Sequence, residues 1–358
     1  MIFYCIIFLI LIIFYTENKI YIAGFALILF LIAIFRSDSV GTDYNSYIKN
    51  FIDIKNQFAN YNYKTLINYF SVNNSLYGSV EKQMEPLWVL LNYIIFIIKG
   101  NYYIVNAISL ILILALYIKV ILKKSRYPSL SFFLFYALYY YFISYNTIRQ
   151  GIAISFILLF YSYYEDKKYS RSLFALIIAI LFHYSAIFAL ISIIIIKINI
   201  KNNLSYAFLI ISLVFGKDIS ELIINKLFFS TIYLGYSKAK WGNIDYLISM
   251  VNYSIQIAIY YFVTVGNQKK DIYVKIWYFG LLLQNIFLGY IFFYRIADYF
   301  LVAQIIAIPN IYKKKVISNF RVNKKALLAI IMITISFLYN LKFNKQGIVP
   351  YFISIIKY

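Results

Sequence analysis

This sequence has few charged residues, and it lacks the residues and motifs that usually bind metals or nucleotides. Its 358 residues include one cysteine, Cys5, and one histidine, His183, which excludes an internal disulfide, a cysteine-built metal site and an H-E-x-x-H zinc motif. Only 13% of the residues are charged, about half the usual share for a soluble domain. There is no Walker loop, no G-x-G-x-x-G fingerprint and no D-x-D pair that would hold a metal–nucleotide. These absences argue against ATP or a nucleotide-sugar as substrate, and we expect neither a metal nor another cofactor.

Apolar residues, by contrast, form long runs along nearly the whole chain. The sequence is 63% hydrophobic and 21% aromatic. Such runs are typical of membrane-spanning helices. We therefore expect an all-α fold, a polytopic helical membrane protein with one integral membrane domain over residues 1–358. The formal net charge of +21 is explained by cytoplasmic loops. A soluble nucleic-acid binder would not share the hydropathy, so no nucleic-acid partner is expected.

The apolar runs predict about 12 transmembrane helices. Two polar stretches, 36–101 and 216–245, are predicted as long extracytoplasmic loops, and residues 342–358 as a C-terminal tail. The apolar run at 86–98 is shorter than the ~30 Å hydrocarbon core and is predicted to be re-entrant. The run at 172–196 is predicted to form two short spans that bend at His183. The remaining predicted spans are 1–15, 20–35, 104–122, 129–143, 148–164, 204–215, 246–265, 272–293, 296–311 and 326–341.

Lysine and arginine in short loops predict the orientation of these spans. Six short loops carry 19 of the 34 basic residues but only 4 of the 13 acidic ones, which predicts that they are cytoplasmic and that both termini lie outside. A rival topology makes 86–98 a span and 172–196 a single span. It moves seven basic residues to the outer side, so the charge bias favours the first arrangement. The six loops are 16–19, 119–127, 165–171, 197–203, 266–275 and 312–325.

Arg149 and Gln150 stand at the head of the apolar segment that runs on to Tyr164. A charge in that position is costly unless it faces water, lipid phosphate or a partner. An isolated arginine there would most simply snorkel to the headgroups. In the preferred topology, however, other charged residues share its membrane face. They are Arg36, Asp43, Glu85, His183, Arg295 and Asp298.

Each of these residues also has an ordinary structural interpretation. Asp43 is either a solvated loop cap or an inward-facing acceptor or base. Glu85 precedes a predicted helix, where a glutamate commonly compensates the helix dipole, and we favour that interpretation for it. His183 is either a satisfied core residue or a proton-transfer group, since histidine titrates near neutral pH.

Arg295 and Asp298 are spaced i, i+3 at the start of a predicted span. They form either a simple helix pair or a phosphate clamp with its orienting carboxylate. With Arg36 and Arg149, three arginines lie at one membrane face. Planar, permanently charged guanidinium groups that bind phosphate oxygens in pairs suit a lipid diphosphate.

Five short motifs follow one another between Arg36 and Phe300. They are Arg36…Val40-Gly41-Thr42-Asp43-Tyr44…Tyr47, Glu85-Pro86-Leu87-Trp88…Leu91-Asn92, Asn146-Thr147-Ile148-Arg149-Gln150-Gly151-Ile152-Ala153, Leu181-Phe182-His183-Tyr184-Ser185-Ala186 and Tyr294-Arg295…Tyr299-Phe300. In these motifs and their order the sequence resembles the EpsG/Wzy-type polysaccharide polymerases, integral membrane proteins that build O-antigen, capsule or exopolysaccharide.

The resemblance implies glycosyl transfer at the periplasmic or outer face of the bacterial inner (cytoplasmic) membrane. The implied substrate is an oligosaccharide repeat unit on undecaprenyl diphosphate. The growing glycan moves from its lipid carrier onto the sugar end of a new lipid-linked unit. The implied partners are these lipid-linked glycans, the lipid bilayer, and a chain-length regulator and a flippase of the same pathway. No cofactor is implied.

This chemistry needs a group that stabilises the diphosphate leaving group and a base for the acceptor hydroxyl. Tyrosines of the outer loops and Trp241 would offer aromatic faces to sugars. The predicted catalytic residues are His183, Asp43 and Arg149. The predicted ligands of the lipid diphosphate are Arg36, Arg149, Gln150 and Arg295, with Glu85 and Asp298 in support.

Three other functions remain open at this stage. An O-antigen ligase would share the lipid donor but use a lipid A core acceptor. A repeat-unit flippase would place polar residues along mid-span positions, whereas the charges here lie at span ends. A membrane acyltransferase would need a histidine deeper in a tunnel with acidic partners. The sugars, the linkage and the kind of polymer do not follow from the sequence.

Overall fold

The computed structural model describes residues 1–13, 16, 18–59, 84–198, 202–227, 242–266, 271–290, 293–311 and 324–353. Most of these residues are helical; they contain no strand, and the structure records one isolated antiparallel bridge, between Arg36 and Ile353. The α-helices are α1 (Ile2–Ile13), α2 (Lys19–Ile34), α3 (Tyr44–Ala59), α4 (Pro86–Ile97), α5 (Tyr102–Lys124), α6 (Pro128–Ala137), α7 (Tyr140–Asn146), α8 (Ile148–Glu165), α9 (Tyr169–Phe182), α10 (Ile191–Ile195), α11 (Asn202–Leu227), α12 (Asn243–Thr264), α13 (Ile272–Ile286), α14 (Asp298–Leu301), α15 (Gln304–Ile311) and α16 (Lys324–Lys342). Short 3-10 helices cover Tyr184–Leu190, Phe293–Ala297 and Lys345–Gly347.

Three of the described helices, α5, α12 and α16, are long and apolar enough to cross a membrane by length and composition. The 23 residues of α5 span about 35 Å. Asn101 caps its N-terminus by accepting a hydrogen bond from the Ile104 backbone N–H, and Lys123 and Lys124 lie in its last turn, where cations complement the helix dipole. The chain is that of an all-helical membrane protein, and the number of about 12 spans remains a prediction.

Charged residues gather at the two ends of the bundle. Lys124 meets Glu165 and Asp166 at one end, each with an N–O distance of 2.5 Å. At the other end the Gln150 side chain donates to the Arg295 carbonyl at 2.9 Å. Helix α8 runs between the ends and is buried along most of its length, so it forms the centre of the bundle. We call the two ends the lysine end (Lys123, Lys124, Glu165 and Asp166) and the arginine end (Arg36, Arg149 and Arg295).

The chain reverses direction at His183. The 14 residues of α9 carry it about 21 Å from the lysine end, and His183 then adopts an extended backbone conformation. The following 3-10 helix and α10 return to the lysine end, where the Lys275 ammonium donates to the Ile196 carbonyl at 2.7 Å. The bend predicted at His183 is therefore present, with a short helical segment on each side.

Helix α4 begins and ends at the arginine end. Glu85, at its N-cap, pairs there with Arg149. After a short turn α5 begins at Tyr102, whose ring packs against Tyr44 with centroids 5.4 Å apart; the Tyr44 ring in turn lies under the guanidinium of Arg36. The helix has 12 residues, about 18 Å, and the re-entrant course of 86–98 remains a prediction.

The loop prediction for 216–245 is wrong at its start, because α11 continues as a helix to Leu227. The predicted loop begins at Gly216, but in the structure this glycine lies within α11 and packs closely against α13. A Cβ atom there would lie 2.2 Å from the Asn285 carbonyl oxygen. The missing side chain lets α11 lie directly against α13. Residues 228–241 of the predicted loop, like residues 60–83 of the first loop, are outside the described part of the chain.

Candidate active site

The loop before α3 is fixed by the Asn146 side chain. Its Oδ1 accepts hydrogen bonds from the backbone N–H groups of Thr42 at 2.6 Å and Asp43 at 3.5 Å. Gly41 makes this approach possible, because its φ of +102° suits glycine and a Cβ atom would lie 2.7 Å from the same Oδ1. The Gly-Thr-Asp sequence thus delivers Asp43 to the arginine end.

Part of the predicted C-terminal tail at 342–358 folds back onto this loop after α16. The Asn146 amide nitrogen donates to the backbone oxygen of Gln346 and, at 2.8 Å, to its side-chain oxygen. The Gly41 N–H donates to the Gly347 carbonyl at 2.9 Å. Tyr4 also donates to the Ile348 carbonyl at 3.1 Å. Backbone polar groups near the membrane need partners, and this segment and the Gly41 loop supply them to each other.

Arg36 is enclosed behind the loop and is only 1% exposed. Its guanidinium lies between two rings, 4.7 Å from the Tyr44 centroid and 4.1 Å from that of Tyr145. It also donates to the Tyr145 carbonyl at 3.0 Å. This environment holds the loop and α7 together, so Arg36 is placed to support the site from behind.

Glu85 joins two of the predicted catalytic residues. One carboxylate oxygen pairs with the Arg149 guanidinium and the other lies 2.6 Å from Nδ1 of His183. The Glu85 side chain is 6% exposed, whereas Arg149 and His183 are 26% and 27% exposed. Tyr47 places its ring 5.9 Å from the Arg149 guanidinium. Sequence reasoning favoured helix-dipole compensation for Glu85, but the structure makes it the centre of an ionic group.

The charge of Glu85 depends on these two partners. Burial alone would raise its pKa, but the hydrogen bond with His183 and the charge of Arg149 outweigh burial and lower the pKa of Glu85 below its ordinary value. The carboxylate is therefore ionised at neutral pH. It fixes the His183 ring through Nδ1, and among the described residues no hydrogen bond engages Nε2.

A second group of polar side chains lines a cleft of about 310 Å³ beside this ionic group. Gln150 connects the two, because it follows Arg149 in the chain and donates to the Arg295 carbonyl at 2.9 Å and to Asp298 at 3.5 Å. Arg295 also interacts electrostatically with Asp43 and Asp298. The cleft is lined by Thr42, Asp43, Ile143, Asn146, Thr147, Gln150, Tyr294, Arg295, Asp298 and Gln346.

A family model described as the EpsG family matches residues 19–353. The chain belongs to the EpsG family. This is the family of Wzy-type polysaccharide polymerases, and the match includes all five motifs and the site residues described above. No curated protein and no solved structure matches the chain.

The five EpsG motifs meet in three dimensions although they are spread over more than 250 residues. The histidine motif reaches the last motif through the Ser185 hydroxyl, 2.9 Å from that of Tyr299. Every motif makes at least one side-chain contact with another. The contacts are Thr42 with Asn146, Glu85 with Arg149 and His183, Gln150 with Arg295, and Ser185 with Tyr299.

Sequence reasoning missed Gln346 and its neighbour Lys345. The only available signal was the polar run Asn-Lys-Gln-Gly directly after the last apolar segment, which looks like any exposed turn. Trp241, predicted to offer a face to sugars, lies outside the described residues. Within the described part of the chain, no three histidine, cysteine, aspartate or glutamate side chains are grouped so that they would hold a metal ion.

The arrangement in this EpsG-family site combines anion binding with proton transfer. Arg149 and Arg295 supply permanent positive charge, and Gln150, next to Arg149 in the chain, donates to the Arg295 backbone. His183 has one ring nitrogen held by a carboxylate, the arrangement that orients a histidine as a base. Asp43 is a second carboxylate in the cleft, where its oxygen accepts from the Thr42 hydroxyl at 2.8 Å.

Proposed function

We propose that this protein is a polymerase that joins undecaprenyl-diphosphate-linked oligosaccharide repeat units, at the extracytoplasmic face of the bacterial inner membrane. The product is O-antigen, capsule or exopolysaccharide. The observation that carries the proposal is the buried Glu85 carboxylate, which unites Arg149 and His183 beside the Arg295 cleft in a chain of the EpsG family.

The proposed reaction breaks the bond between the donor glycan's anomeric carbon and its diphosphate. The acceptor sugar hydroxyl of a second lipid-linked unit attacks that carbon, and undecaprenyl diphosphate leaves with the bonding electrons. Arg149 and Arg295 bind the oxygens of the leaving group as its negative charge grows, with Gln150 holding the cleft and Arg36 supporting it from behind.

The hydroxyl proton passes to a base of the site. His183 is placed to accept it at Nε2, because Glu85 holds Nδ1 and stabilises the resulting imidazolium. Asp43 is the alternative base, since it lies in the cleft with Arg295. His183→Gln separates the two. Loss of polymer at every pH assigns the base to His183, and unchanged polymer at every pH moves the role to Asp43.

The proposed function is tested with two substitutions of Arg149. Arg149→Ala and Arg149→Lys are expected to abolish long-chain polymer while the protein still inserts, because lysine cannot reproduce the bidentate grip of a guanidinium on phosphate. The measurement is the chain-length ladder of surface polysaccharide from a deletion strain complemented with each variant. Arg171→Ala is the matched control, since Arg171 is exposed near the lysine end.

Normal ladders from Arg149→Ala cells would remove Arg149 from the mechanism. The same strains also separate the rival functions. A polymerase defect leaves a single repeat unit attached to its final acceptor. A ligase defect removes all acceptor-linked glycan, and a flippase defect leaves the lipid-linked units on the cytoplasmic leaflet.

A further inference from the structure

A second cavity adjoins the cleft that contains Arg295 and shares part of its lining. It encloses about 660 Å³ including its open mouth and shares Ile143, Tyr294, Asp298 and Gln346 with the cleft. We refer to it as the amide cavity, and the remaining residues that line it are Leu138, Tyr139, Tyr140, Asn252, Tyr253, Gln256, Gln284, Leu301, Gln304, Asn340 and Lys345.

Five buried primary amides from four α-helices line this cavity, beside the partly exposed Gln346. Their relative exposures lie between 4% and 9%. Burying an amide without partners costs several kilocalories per mole, so five together in a membrane protein's interior need a reason. The five residues are Asn252 and Gln256 of α12, Gln284 of α13, Gln304 of α15 and Asn340 of α16.

Several of these side chains are held in place at one atom and left without a partner at another. Gln256 donates to the Ser336 hydroxyl at 3.0 Å and Gln304 donates to the Tyr140 hydroxyl at 2.8 Å. The Oε1 atoms of both glutamines are nevertheless buried without a hydrogen bond, as are Nε2 of Gln284 and the hydroxyl of Tyr139. Unpaired buried atoms of this kind are rare in folded proteins.

We propose that the amide cavity binds an uncharged sugar residue of the lipid-linked repeat unit, next to its diphosphate; this inference rests on the proposed function. Sugar hydroxyls both donate and accept. A small rotation of these buried side chains would let a sugar pair with two acceptors, one donor and one hydroxyl that now have no partner. A phosphate accepts only, so it would leave both Oε1 atoms unpaired. A polyprenyl chain would satisfy none of them.

The charges and rings of the cavity agree with an uncharged sugar. Lys345 and Asp298 are the lining residues with opposite charges, and they interact with each other electrostatically, so the cavity has no excess charge for an acidic sugar. Four tyrosines, Tyr139, Tyr140, Tyr253 and Tyr294, line the same space, and tyrosine rings can pack against the C–H groups of a sugar.

The test measures sugar binding without requiring polymer synthesis. The probes are the free oligosaccharide repeat unit, released by mild acid from the lipid fraction of a deletion strain, and inorganic pyrophosphate. Binding of each probe to the detergent-purified full chain is measured by titration. Gln284→Leu is the main variant, because the next residue on the same helix, Asn285, provides a matched buried amide that does not line the cavity.

We expect Gln284→Leu to weaken oligosaccharide binding about 3- to 10-fold, the loss of one hydrogen bond, and to leave pyrophosphate binding unchanged. The unfolding temperature of this variant should stay level or rise, because a buried amide whose Nε2 has no hydrogen-bond partner is removed. Asn285→Ala should lower the unfolding temperature, because Asn285 bonds to Leu209 and Ser212, and it should leave oligosaccharide affinity unchanged in the folded fraction. A merely structural role for Gln284 would not move stability and affinity in opposite directions.

Two results would overturn the inference. One is wild-type protein that binds pyrophosphate but not the oligosaccharide, and the other is oligosaccharide binding that Gln284→Leu does not weaken. Both can occur while Arg149→Ala abolishes polymer, which would leave the proposed function standing. Conversely, the purified protein could bind the oligosaccharide although Arg149→Ala leaves the chain-length ladder unchanged. The cavity would then bind sugar, but the proposed polymerase mechanism would fail.

Discussion

The two ends of the bundle accommodate charge in opposite ways. At the lysine end the two carboxylates remain partly exposed and share the cation of Lys124, while Lys123 also pairs with Asp166. At the arginine end the buried Glu85 is shared between Arg149 and His183. There, Nε of Arg149 and both Nε and one terminal nitrogen of Arg36 are buried without a hydrogen-bond partner.

This difference separates structural charges from functional ones. Exposed ion pairs contribute about 0–1 kcal/mol each, and those of the lysine end join neighbouring helix ends. A buried polar atom without a partner costs about 1–3 kcal/mol. At the arginine end this cost falls on guanidinium nitrogens, and Arg149, which is 26% exposed, remains open to an anion. The arginine end is therefore where we expect ligand binding and catalysis.

The strongest test of this difference is a glutamate-to-glutamine substitution at each end of the bundle. Glu85→Gln keeps the side-chain shape but removes the charge that Arg149 and His183 share, so we expect polymer formation to fall about 100-fold or more. The measurement is polymer formed per unit time in membrane vesicles supplied with extracted lipid-linked repeat units. Glu165→Gln at the lysine end is the control and should stay near wild type.

Combining Glu85→Gln with His183→Gln shows whether the two residues act as a unit. If Glu85 works by orienting His183, the double variant should be little worse than the worse single variant. Fully multiplicative losses would show that Glu85 acts through Arg149 alone. Equal losses from Glu165→Gln and Glu85→Gln would abolish the distinction between the two ends.

A smaller effect is expected from paired glycine substitutions. Gly41→Ala meets both a φ of +102° and a Cβ position 2.7 Å from Asn146 Oδ1, so it should destabilise the protein by about 1–3 kcal/mol and lower polymer by displacing Asp43. Gly24 lies within α2 with no atom within 4 Å of a built Cβ, and Gly24→Ala should stabilise by up to about 1 kcal/mol. Thermal unfolding in detergent measures both, and equal shifts would contradict the strain at Gly41.

Much of this architecture could be predicted because it depends on local pattern. Hydropathy alone predicts helices such as α5 and α16, and their alternating direction brings Arg149, His183 and Arg295 to one end. The His183 bend is predicted from the charge bias of the short loops, which requires the run at 172–196 to turn back, and from the polar residues at its middle. Local patterns of this kind need no knowledge of contacts between distant residues.

Features that depend on distant contacts could not be predicted in the same way. Asn146 bonds to Gln346, 200 residues away in sequence, and nothing in either neighbourhood indicates the partner. Gly216 resembles a loop onset until α13 is placed against it. Glu85 before a proline looks like any helix N-terminus, and only the fold shows that Arg149 and His183 share its carboxylate.

The smallest expected effect belongs to the lysine end and sharpens the comparison through pH. Hydrogen bonds from Lys123 and Lys124 lower the pKa of Asp166 to about 2. A lowered folded-state pKa gives stability that is present above the unfolded value, near 3.9, and is lost as pH falls towards 2. Asp166→Asn should remove this acid dependence and cost at most about 1 kcal/mol near neutral pH, with polymer synthesis unchanged.

The measurement is thermal unfolding in detergent from pH 7 down to acid, with polymer ladders in parallel. A loss of polymer comparable to that from Glu85→Gln would mean that the ion pairs of the lysine end also serve the reaction. The way in which a charge is paired would then not separate structural from functional residues in this protein.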